Sequence, residues 1–114
     1  MELEAVVHPK ANLVMVRGRI DHGSSMTFSE LLHPHLEKCK KGNPPLILNF
    51  SGVDYISSAG LRALMIATRF ARNQGGRLGI AEFQPLVREV FGISRFDLVI
   101  PCFDTLEAAL GELA

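Results

Sequence analysis

Leu46-Ile47-Leu48-Asn49-Phe50-Ser51-Gly52-Val53-Asp54-Tyr55-Ile56-Ser57-Ser58-Ala59-Gly60-Leu61-Arg62 contains the passage on which the fold turns. Residues 46–50 form a short apolar run without alternation, the pattern of a strand buried on both faces. Residues 51–56 read as a connection. From Ala59 to Asn73 the apolar residues recur at helical spacing, and Gln74-Gly75-Gly76 supplies the stop. A buried strand that leads into a helix is the building unit of an α/β protein.

The same unit recurs downstream. Arg77–Ala81 reads as a strand, and Pro85 sits at a first helical position ahead of Leu86, Val87, Val90 and Phe91, with Gly92 closing the helix. Leu98-Val99-Ile100 reads as the last strand. Asp104 and Glu107 have the spacing of a capping box before a helix carrying Leu106, Ala109, Leu110 and Leu113. Upstream, Leu3–Val7 and Leu13–Arg19 read as strands of a hairpin joined by His8-Pro9-Lys10-Ala11-Asn12. Ser24 and Ser25 open a helix whose apolar residues are Phe28, Leu31, Leu32, Leu36 and Cys39. Pro34 lies inside that pattern and predicts a kink or a restart, because it removes a backbone donor. The expected architecture is one α/β domain over residues 1–114. It has a mixed sheet of about five strands, an N-terminal hairpin followed by strand–helix alternation, and four helices.

Composition narrows the function. The chain has 114 residues, with 12 basic and 12 acidic side chains, so its net charge is zero. Phosphate backbones select for basic surfaces, so nucleic acid is not the expected partner. With no Trp and one Tyr, there is no platform for stacking single-stranded bases. No stretch approaches the roughly 18 apolar residues that span a bilayer, and the acidic start lacks a signal core. The expected compartment is the cytoplasm, where Cys39 and Cys102 would be reduced, small apolar residues.

Ser58 stands where a helix N-cap belongs. A capping hydroxyl accepts from a backbone N–H two or three residues on, a contact of about 1 kcal/mol. The start of a helix also tolerates an anion, so a phosphate here would leave the core undisturbed. The local features fit a plain cap as well as a modification site. At about 100° per residue, Ala63, Leu64, Ala67, Thr68, Phe70 and Ala71 fall on one packing face with Leu61. Arg62, Met65, Arg69, Arg72 and Asn73 fall on the opposite arc. A methionine among arginines suits a binding surface, since both residue types favour interfaces; a solvated face with one stray Met is the plain alternative.

Other constellations carry less. His33 and His35 are roughly 200° apart on a helix and cannot share a metal. His8 and His22 fall at turns. There is no Gly-x-Ser-x-Gly elbow for a hydrolase, and Gly75-Gly76 precedes a strand rather than a helix, so no phosphate loop supports nucleotide chemistry. No catalytic residue, metal site or cofactor is expected.

Taken in order, several segments resemble the STAS domain, and specifically the bacterial anti-sigma factor antagonists. They are Gly18-Arg19-Ile20-Asp21-His22, Leu46–Phe50, Ile56-Ser57-Ser58-Ala59-Gly60-Leu61, Gly75-Gly76 before a strand, and Phe91-Gly92-Ile93-Ser94-Arg95-Phe96. The resemblance covers nearly the whole chain. It implies a non-enzymatic switch. The unphosphorylated form binds an anti-sigma factor serine kinase and so releases that kinase's target. Phosphorylation turns binding off, and a metal-dependent serine phosphatase resets it. Anchored on Gly60-Leu61, the family's phosphoserine maps to Ser58. The Asp that usually precedes it is Ser57 here, which places two hydroxyls side by side. The resemblance also assigns Asp21 to the binding surface, where a turn-capping role is the alternative. With Ser57, Ser58, Gly60, Arg62, Met65, Arg69 and Arg72 it makes up the expected partner-binding set. A non-switching STAS scaffold, or an accessory subunit of a transporter or sensor complex, is the rival reading.

Overall fold

The computed structural model describes residues 1–114. Strand β1 (Glu2–Val6) and strand β2 (Asn12–Ile20) form the antiparallel hairpin. There follow helix α1 (Ser25–Glu37), strand β3 (Leu46–Ile56), helix α2 (Ser58–Asn73), strand β4 (Leu78–Ala81), helix α3 (Pro85–Ile93), strand β5 (Cys102–Phe103) and helix α4 (Leu106–Leu113). The five strands lie in the sheet in chain order. The β2–β3, β3–β4 and β4–β5 pairs are parallel. The expected mixed sheet, with its hairpin and four helices, is therefore what forms.

Sequential parallel strands joined by right-handed crossovers carry their connecting helices on one face. The larger core bears this out. Val14 and Val16 of β2, Leu46, Leu48 and Phe50 of β3, and Leu78 and Ile80 of β4 pack with Phe28 and Leu32 of α1, Leu61 and Leu64 of α2, and Val87 and Phe91 of α3. On the opposite face Leu13, Ile47 and Ala81 meet Ala109 of α4, with Leu106, Leu110 and Leu113 around it. Residues 46–48 thus feed both layers in alternation, which is why the sequence shows no polar position there. Burial holds the two cysteine thiols above their ordinary range, Cys102 at about 11 and Cys39 also raised. Both are free and protonated at neutral pH.

Several local expectations are corrected. Residues 51–56 are not a connection but the second half of β3, pairing with Arg17–Ile20. The polar residues there misled because β4 ends opposite Asn49, which leaves this half paired on one side only. Residues 98–100 are not the last strand. Phe96–Leu98 form a 3-10 turn, the Ile100 N–H donates back to the Phe96 carbonyl, and β5 forms at Cys102–Phe103. An Arg88–Asp97 ion pair at 3.3 Å fastens that turn to α3. The cap of α4 is Thr105 rather than Asp104; its hydroxyl accepts from the Ala108 N–H, and the Glu82 carboxylate accepts from the Leu106 N–H. Pro34 causes no restart. It sits on the exposed side of one continuous α1, where water can satisfy the carbonyl it leaves unpaired.

Gly76 shows how tightly α1 and α2 are closed behind the sheet. A Cβ at this position would lie 2.2 Å from the Cys39 carbonyl oxygen. The centre of the core is aromatic. Phe50 is fully buried, with edge-on contacts to Phe83 at 5.8 Å and Phe91 at 6.5 Å. Phe50→Ala is expected to destabilise the fold by about 3–5 kcal/mol in urea unfolding, the range for an emptied core phenyl site.

Candidate functional site

Two turns meet at the carboxyl ends of β2 and β3. The strands finish in register, with Ile20 opposite Ile56. The Ser57 N–H then donates to the Ile20 carbonyl at 2.8 Å, and α2 begins at the next residue. The turn after β2 is thereby set against the start of α2.

That turn is knotted by Asp21. The Ser24 N–H donates to Asp21 Oδ1 at 3.0 Å, and the Asp21 N–H donates to Ser24 Oγ at 2.9 Å. The Ser24 hydroxyl also lies 2.6 Å from the Arg19 carbonyl and 3.0 Å from Asp21 Oδ1. The Ser24 hydroxyl and N–H hold the Asp21 carboxyl below its usual range, with a smaller contribution from Arg19 at 3.7 Å. Asp21 acts here as the turn-capping residue that the sequence allowed, and His22 follows it in the same turn.

The start of α2 divides two neighbouring hydroxyls between two tasks. Ser57, not Ser58, is the N-cap: its Oγ accepts from the Gly60 N–H at 3.2 Å. Ser58 is the first helical residue. It is exposed, and its hydroxyl has no hydrogen-bond partner in the chain. The sequence placed the cap one residue late, because two consecutive serines offer the same side chain to both positions. Only the extended backbone of Ser57 (φ −93°, ψ 173°) decides between them.

Gly60 is buried, so its part is packing rather than contact. A Cβ there would lie 2.7 Å from Ile20 Cγ2, 2.8 Å from Ile56 Cγ1 and 2.9 Å from the Ile20 carbonyl oxygen. The absent side chain lets the first turn of α2 sit directly over the ends of both strands.

Ser58 opens onto a hollow of about 380 Å³ between the starts of α1 and α2. His22, Ser25 and Ser29 line one wall and Ser58 and Arg62 the other, with Met26 and Ile66 at the apolar edge. Of the expected partner-binding residues, only Ser58 and Arg62 line it. Ser57 lies beneath, as the cap. Met65 is half-buried, Arg69 is exposed, and Arg72 donates to the Val99 carbonyl at 3.0 Å, far along α2. Ser58, Arg62, Met65, Arg69 and Arg72 therefore form a stripe at helical spacing that runs away from the hollow. The sequence reading missed Met26 and Ile66, both largely exposed. Ile66 left a signal: it falls outside the packing face of α2, as Met65 does. Met26 left the same signal: at about 100° per residue it falls away from the face of α1 that carries Phe28, Leu32 and Leu36.

A family model for the STAS domain matches residues 2–109. The chain belongs to the STAS domain family. Among its relatives is BtrV of Bordetella bronchiseptica, which carries the name of an anti-sigma factor antagonist. BtrV is 42% identical over 69 residues, 60% of each chain, so the match spans about three fifths of that relative. Among solved structures, an anti-sigma factor antagonist from Mycobacterium paratuberculosis superposes with a TM-score of 0.83 at 20% identity, over 98% of this chain and 92% of that one. The Bacillus protein SpoIIAA in its phosphorylated form gives 0.64 at 19% identity, over 99% and 98%. At these identities the structural likeness speaks to the STAS fold. No helix of this STAS domain is long and apolar enough to cross a membrane.

Gly60→Ala tests how the site is built. The new methyl group must displace the helix start from Ile20 and Ile56, at an expected cost of about 1–3 kcal/mol in chemical denaturation. Backbone amide shifts of Ser57–Leu61 should move while those of α4 stay in place.

Proposed function

We propose that this STAS domain is an anti-sigma factor antagonist that works as a phosphate-gated binding protein in the cytoplasm. Its unphosphorylated form binds an anti-sigma factor serine kinase and so releases the kinase's target. The kinase transfers the γ-phosphoryl group of ATP to Ser58 Oγ, ADP leaves, and the hydroxyl proton passes to the kinase. A metal-dependent serine phosphatase hydrolyses the phosphoester and restores binding. The domain itself performs no catalysis.

The observation that carries this reading is the unequal state of the two serines. Ser58 is exposed at the mouth of the hollow with its hydroxyl free of hydrogen bonds, whereas the hydroxyl of its neighbour Ser57 is engaged as the helix cap. A phosphate on Ser58 breaks no contact of the fold. It adds a charge of about −2 to a surface meant to be covered by a partner. Desolvating an unmatched charge in an interface costs several kcal/mol, enough to release the partner. The stripe from Arg62 through Met65 to Arg69 and Arg72, with Asp21 shaping the turn beside it, supplies the rest of the binding face. Relatives that bear the name of anti-sigma factor antagonist support the same role.

Incubation with the cognate kinase and ATP should place one phosphate on the tryptic peptide containing Ser58, and Ser58→Ala should abolish it. Phosphate on Ser57, or none, overturns the assignment. Ser58→Asp should weaken kinase binding at least tenfold by calorimetry. Met65→Glu, with its fold checked by circular dichroism, should weaken it by a similar factor; undiminished binding would remove the α2 stripe from the interface.

A further inference from the structure

We propose that the hollow beside Ser58 is a cradle for the chain's own phosphate, with Arg62 as the residue that captures it. This inference rests on Ser58 being the phosphoacceptor. Ser58 and Arg62 line one wall of the same hollow. They are four residues apart on α2, so their Cβ atoms lie about 5–6 Å apart. Long side chains on a helix lean toward its N-terminus, which carries the Arg62 guanidinium back over the turn that holds Ser58.

Arg62 is also uncommitted. It takes part in none of the four ion pairs of the chain, which engage Arg17, Arg19, His33 and Arg88. Its side chain makes no hydrogen bond, whereas that of Arg72 is tied to Val99. From the facing wall come the imidazole of His22 and the hydroxyls of Ser25 and Ser29. No carboxylate lines the hollow; Asp21, next to His22, is engaged by Ser24 and Arg19. A phosphoryl group on Ser58 would thus meet one free guanidinium, one imidazole and neutral hydroxyls. Guanidinium binds phosphate oxygens in a bidentate fork.

The consequence is a second arm to the switch. In the unphosphorylated protein Arg62 is a free cation on the binding face, able to pair with a partner's carboxylate. Phosphorylated Ser58 claims it in cis. Phosphorylation therefore withdraws a cation from the partner as well as adding negative charge.

The test bypasses the kinase, so it is separate from the test of function. Phosphoserine is installed at position 58 during translation, and its second ionisation is followed by phosphorus NMR against pH. A guanidinium within reach favours the dianion, so the midpoint should fall below the ordinary value of about 6. We expect Arg62→Gln to raise the midpoint by about half a pH unit relative to the phosphorylated parent. Arg69→Gln, an equal charge change on the same stripe but outside the hollow, should shift it less than half as far. A midpoint unmoved by Arg62→Gln, or moved equally by Arg69→Gln, overturns the cradle. Circular dichroism of both variants confirms that the helix is intact.

Discussion

Everything near Ser58 depends on the parallel pairing of β2 with β3. The strands run side by side from Asn12 opposite Leu46 to Ile20 opposite Ile56, so they end at the same level. A turn and a helix start must then share one edge of the sheet. The Ser57 N–H caps the end of β2 by donating to the Ile20 carbonyl, and Gly60 lets α2 rest on Ile20 and Ile56 without a clash. Had β3 stopped at Phe50, Ser58 would not have reached the end of β2. The six further residues of β3, paired on one side only, carry the chain to the place where the site forms.

This explains what the sequence revealed and what it concealed. The apolar run 46–50 declares itself because both of its faces are covered, by α1–α3 on one side and α4 on the other. Residues 51–56 conceal themselves because only Val53 and Ile56 are buried and the rest face solvent, a pattern no different from a loop. Residues 98–100 mislead the opposite way. They are apolar, two of the three β-branched, yet Leu98 is exposed and Ile100 is buried from a helical turn rather than a ladder. Periodicity reports which residues are covered. It does not report which neighbour covers them, and at sheet edges that distinction decides between strand and turn.

The site was legible in part for a related reason. Arg62, Met65, Arg69 and Arg72 follow from helical angles, because one regular helix fixes their relation, whereas Ser58 follows from its place at the helix start and from the resemblance anchored on Gly60-Leu61. His22, Ser25, Met26 and Ser29 come from a different element, separated by a strand and a connection, and only the β2–β3 register brings them across from Ser58. Asp21 lay between the two cases. Its turn-capping role is local and was open to reading; that this turn lies against the start of α2 is tertiary, set where the Ser57 N–H donates to the Ile20 carbonyl.

The pair of serines shows why one hydroxyl of the pair is free to act. A helix start needs an acceptor for its orphan N–H groups, and a serine that supplies it is no longer an unencumbered nucleophile. With the cap at Ser57, Ser58 is released from that duty while staying within the same first turn. An Asp at position 57 could cap equally well, since its carboxylate accepts the same N–H. The departure from the family pattern at this residue therefore preserves the cap and removes a negative charge beside Ser58. Less repulsion toward an added phosphate follows directly, and the free guanidinium one helical turn away becomes the dominant nearby charge on the helix. The overall balance of 12 basic and 12 acidic groups hides this local imbalance, which is where the electrostatics of the surface are set.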